Sequence, residues 1–74
     1  MYILNCIEND NVVDGMETEN IRDVGLFFSR NNYSMNVRNS IETVKGFAVG
    51  ESLRFYNGRN RKRFIEVMMV ATPE

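Results

Sequence analysis

Four cations in the five residues from Arg59 to Arg63 (Arg59, Arg61, Lys62 and Arg63) are the group in this chain best suited to chemistry with a partner. Guanidinium and ammonium groups held clear of a folded surface attract phosphate by charge, and a guanidinium can also donate to it in a bidentate fork. The same four residues would serve equally as a solvated loop that keeps a hairpin soluble.

Other chemistries find little footing. The chain has no histidine and only Cys6, so the commonest metal ligand and the commonest neutral-pH base are absent, and no metal or cofactor is expected. Gly46, Gly50 and Gly58 fit no phosphate-cradling spacing. Carboxylate pairs such as Glu17 with Glu19, or Asp10 with Asp14, lie in polar stretches that read as loop or helix start. The expectation is a protein that binds and is not an enzyme.

The cationic group must be positioned by its flanking strands, Leu53–Tyr56 and Phe64–Val70. A two-residue turn at Asn57-Gly58 would set Arg54 against Arg61 and Phe55 against Asn60, pairing like charges and leaving a ring against a polar amide. A five-residue loop from Gly58 to Lys62 does better. It pairs Phe55 with Ile65, Leu53 with Val67, Tyr56 with Phe64 and Arg54 with Glu66, and leaves Arg59, Arg61 and Lys62 clear of the sheet with Arg63 at its lip. The last strand is apolar on both faces apart from Glu66, which suits a central or covered strand.

Upstream, Met1–Ile7 alternates as a strand, and Glu8–Gly15 reads as a polar, turn-rich stretch. A helix is expected next, capped by Asp14 or Thr18, with Ile21, Val24 and Phe28 on its apolar face and its end near Arg30-Asn31-Asn32. Residues 33–46 read either as a helix from Ser34, with Val37, Ile41 and Val44 on one face and Gly46 as the stop, or as a strand begun by Tyr33, Met35 and Val37. Asn39-Ser40 breaks the strand alternation, so helix fits better. Its outer face would carry Asn36, Arg38, Asn39, Glu42 and Lys45, side chains able to touch phosphates and base edges.

With 74 residues and 43% apolar composition, the chain suits one small α+β domain: an N-terminal strand, one or two helices and a C-terminal antiparallel β-hairpin. Charge is unevenly spread, since residues 1–29 hold six acids against Arg22 while residues 30–74 hold eight bases and four acids. A polyanion-facing second half is consistent with that dipole, although a pI near 5.4 is not that of a protein held to nucleic acid by net charge alone. The lone Cys6, the lack of a signal-like leader and the lack of a long apolar run point to a reducing, cytoplasmic setting away from membranes. Ten asparagines and five methionines hint at an AT-rich coding source such as a phage or other mobile element.

Helix, asparagine turn, second helix and basic hairpin is an order that resembles the winged helix-turn-helix proteins. Ser34–Phe47 looks like a recognition helix running into its wing, and Asn57–Arg63 is similar to an arginine-rich wing tip. The resemblance implies a DNA-binding regulator of transcription in which Asn36, Arg38 and Asn39 enter the major groove while Arg59, Arg61, Lys62 and Arg63 grip the backbone or minor groove. The alternative is a small phage-type module that modulates a host protein, presenting Asp10, Asp14, Glu17, Glu19 and Asp23 as an acidic contact. Met68, Met69 and Val70 offer an apolar surface for a homodimer.

Overall fold

A computed structural model of the chain describes residues 1–33, 37–56, 58 and 60–72. Its elements run β1 (Tyr2–Glu8), β2 (Asn11–Thr18), α1 (Ile21–Arg30), α2 (Val37–Lys45), β3 (Ser52–Tyr56) and β4 (Arg63–Met69). The four strands form one antiparallel sheet in the order β2-β1-β4-β3, giving an α+β domain with two helices and a C-terminal hairpin.

β2 replaces the expected polar loop and early helix. Asn9 and Asp10 both take positive φ, 50° and 67°, forming the two-residue reversal that matches strand twist and lets Glu8 face Asn11. The strand then carries a bulge: Cys6 faces Asp14 and Ile7 faces Val12, leaving Val13 as the extra residue. That insertion turns Asp14 and Met16 toward one face of the sheet and Val12 toward the other, which hides the two-residue period from a reader of the sequence.

α1 starts later than expected, at Ile21. Asn20 caps it, its side-chain oxygen accepting from the Arg22 N–H at 2.9 Å, while the Thr18 hydroxyl donates to Asp23 at 2.7 Å. The end falls where the asparagines foretell it. Asn32 is left-handed at φ 65°, the Tyr33 N–H reaches back to the Phe28 carbonyl at 2.8 Å and the Asn32 N–H to that of Ser29 at 3.1 Å. The Tyr33 and Phe28 rings meet across this terminus with centroids 6.3 Å apart, the apolar contact that accompanies such a cap.

Val37–Lys45 is helix, as the better of the two sequence readings has it, and Ser34, Met35 and Asn36 lie outside the described residues. α2 packs on α1 where Gly25 has no side chain; a Cβ there would stand 3.0 Å from Ile41 Cδ1. Both helices lie on one face of the sheet. The core between them is Tyr2, Leu4, Cys6, Ile65 and Val67 from the central strands with Val24, Phe27, Phe28, Tyr33 and Val44, and Phe55 packs against it from β3. β4 is central, flanked by β1 and β3.

Candidate functional site

The β3–β4 register is the one the side chains demand: Leu53 faces Val67, Arg54 faces Glu66, Phe55 faces Ile65 and Tyr56 faces Phe64. The connecting loop therefore projects beyond Tyr56 and Phe64. Within it, the Asn60 side chain accepts from the Lys62 N–H at 3.0 Å, a local turn that replaces a missing backbone partner. The Lys62 carbonyl accepts from the Asn9 N–H at 2.9 Å, tying the loop to the β1–β2 reversal.

Arg61 and Lys62 are exposed, and among the described residues no carboxylate lies within ion-pair distance of either. The Arg61 guanidinium lies over the Tyr56 ring, 4.7 Å from its centroid. An exposed cation–π contact of this kind is worth about 0.5–1 kcal/mol, so it presents the cation without locking it away. Arg59 lies outside the described residues.

Arg63 behaves differently from its neighbours. It shares strand parity with Ile65 and Val67, and so turns toward the helix side of the sheet. One of its Nη atoms donates to the Asn31 carbonyl at 3.0 Å, its Nε lies 3.8 Å from a Glu8 carboxylate oxygen, and its guanidinium sits 5.6 Å from the Tyr33 ring centroid. This cation closes the end of the core and is poorly placed to grip a backbone. Beside it, the buried Tyr33 hydroxyl has no hydrogen-bond partner among the described residues, and burial pushes its pKa up to about 12.

On α2, Arg38 and Asn39 are exposed near the N-terminal end, and Lys45 is exposed at the other, 3.4 Å from Glu42. The expected contacts on the helix thus divide. Arg38 and Asn39 follow closely on Tyr33, which packs against Arg63 at the loop end of the sheet. Lys45 leads instead toward Gly50, whose N–H donates to the Met69 carbonyl at 2.8 Å at the opposite end. Asn36 lies outside the described residues.

The acidic half is partly absorbed by the fold. Asp14 accepts from Arg30 at 2.8 and 2.9 Å and from Asn31 at 2.9 Å, and the Arg30 hydrogen bond leads in holding its carboxyl below the usual range. Asp23 is engaged by Thr18, leaving Asp10, Glu17 and Glu19 exposed. The apolar C-terminal trio also divides: Met68 is 38% exposed, whereas Met69 packs against the core.

Sequence reasoning paired Tyr56 with Phe64 and Arg54 with Glu66 but gave them no role beyond register. The structure sets them on the sheet face that, among the described residues, carries no helix. Tyr56 and Phe64 have ring centroids 5.3 Å apart, and Arg54 lies 4.8 Å over Phe64 while its Nε reaches Glu66 at 3.2 Å. Arg61, Tyr56, Phe64 and Arg54 so form a continuous row of cations and rings. The signal was already in the cross-strand pairs. Comparison with protein-family models, with curated proteins and with solved structures returns no match.

Proposed function

We propose that this chain is a small nucleic-acid-binding protein that engages phosphate with the cationic end of its C-terminal hairpin. The observation that carries the reading is the exposure of Arg61 and Lys62 on a loop held by Asn60 and Asn9, with no carboxylate pairing either one among the described residues. Cations presented in this way release counterions from a polyanion, and that release supplies affinity without sequence choice. Arg38 and Asn39 are exposed near the start of α2. In the winged-helix arrangement they would read base edges of a DNA duplex while the hairpin holds the backbone, as in a transcriptional regulator.

The test is binding of the purified chain to mixed-sequence nucleic acid across a salt series. Affinity that falls steeply between roughly 50 and 200 mM salt, and weakens when Arg61 and Lys62 are both changed to alanine, supports the reading. Wild-type affinity in that double variant removes the loop as the contact. No binding of any nucleic acid at low salt moves the function to a protein partner.

A further inference from the structure

We propose that the open face of the sheet is a stacking platform for unpaired bases, so that the ligand is a single-stranded nucleic acid; this rests on the nucleic-acid reading above and specifies its form. The strand register lines the face in rows. The row beside the loop runs Tyr56, Phe64, Ile7 and Val12, one residue from each strand, and is apolar throughout. The next row runs Arg54, Glu66, Asn5 and Gly15, polar groups able to meet base edges. Gly15 belongs there for a steric reason, since a Cβ at that position would stand 3.3 Å from Asn5 Oδ1.

Three features select the occupant. The rings lie on a sheet surface with Tyr56 36% exposed and their planes tilted by 48°, and an exposed aromatic ring offers a face to a base, which a duplex keeps within its own stack. Guanidinium groups lie over the rings, Arg54 over Phe64 and Arg61 over Tyr56, and a guanidinium plane is itself a surface on which a base stacks; Lys62 is exposed beyond them on the loop, where the phosphates of a strand stacked on the row would run. Four strands about 4.8 Å apart make the row roughly 15 Å wide, room for two or three bases. A second copy of the chain fits the face less well, because closing it would bury Arg54, Glu66 and Glu17 along with the apolar row.

The experiment is fluorescence anisotropy with an end-labelled single strand of mixed sequence, and with the same strand annealed to its complement, titrated with the 74-residue chain. The platform predicts single-strand binding at least about tenfold tighter than duplex binding. Tyr56→Leu should weaken it about tenfold with no change in the salt slope, and Tyr56→Phe should restore it, because the ring and not the hydroxyl does the stacking. Tyr56 is the variant site of choice since it lies on an edge strand; Phe64→Leu gives a second reading, checked for an unchanged circular dichroism spectrum. Equal affinity in Tyr56→Leu, together with loss in Arg61→Ala, overturns the platform and leaves the phosphate reading standing. A preference for duplex that depends on Arg38 and Asn39 also overturns it, in favour of the winged arrangement. Absence of binding to both forms overturns the two together.

Discussion

The two faces of the sheet are made from alternate residues of the same strands, yet they meet different demands. Tyr2, Leu4 and Cys6 of β1 and Ile65 and Val67 of β4 are buried beneath the helices. Their immediate neighbours Ile3, Asn5, Ile7, Phe64 and Glu66 are only half-buried, on a face that no layer covers among the described residues. The covered face gains its stability from close packing and tolerates no unpaired charge. The open face keeps rings, cations and polar groups within reach of solvent. A change of one position along a strand should therefore exchange a folding defect for a binding defect.

The widest separation is expected between Leu4 and Ile3. Leu4→Ala removes a fully buried side chain and should destabilise the domain by about 3 kcal/mol, whereas Ile3→Ala should cost about 1 kcal/mol. Urea unfolding followed by circular dichroism measures both, and equal costs would break the distinction between the faces. In a domain this small, the first of these losses is a large share of the total stability.

A second contrast lies within the cationic group. Arg63→Ala leaves Glu8 and the Asn31 carbonyl without their partner at the end of the core and should cost about 2 kcal/mol. Arg61→Ala should leave stability within about 0.5 kcal/mol of wild type and lower the salt slope of nucleic-acid binding by about one. If both variants unfold alike, Arg63 is a surface residue.

The smallest effect at neutral pH is expected at Tyr33. Its buried hydroxyl has no partner among the described residues, so Tyr33→Phe should hold or slightly raise stability. Its effect emerges in alkali. Burial raises the folded-state pKa from 10.0 to about 12, so the fold binds the proton more tightly than the unfolded chain; the stability this lends is complete below pH 10 and is lost as pH rises toward 12. Burial also pushes the Cys6 thiol upward from 9.0, adding to the same limb. Tyr33→Phe should flatten the alkaline decline, as read from unfolding midpoints on either side of pH 10. An unchanged decline would show that Tyr33 titrates in the fold as it does in solvent.

The parts of this arrangement that were legible in the sequence are those where several constraints met at one place. The hairpin register followed from placing charges and rings so that neither was wasted, and the end of α1 from an asparagine able to take a left-handed backbone. β2 was not legible. Its bulge at Val13 interrupts the alternation, and Asn9-Asp10 and Asp14-Gly15 look like loop until β1 is present to pair with them. The inward turn of Arg63 could have been read from its parity with Ile65, but a run of four cations in five residues draws attention to the charge they share and away from the face each occupies. The aromatic row was visible as pairs; its openness depends on which face the helices choose, a tertiary fact that no local pattern carries.

Amide chemical-shift mapping during titration with a short single-stranded oligonucleotide shows which face of the sheet meets the ligand. The largest perturbations are expected on Ile7, Arg54, Tyr56, Arg61, Lys62 and Phe64, while the amides of the buried residues Leu4 and Val67 stay still. Perturbations centred on Asp10, Glu17 and Glu19, or none at any residue, would contradict the open-face platform.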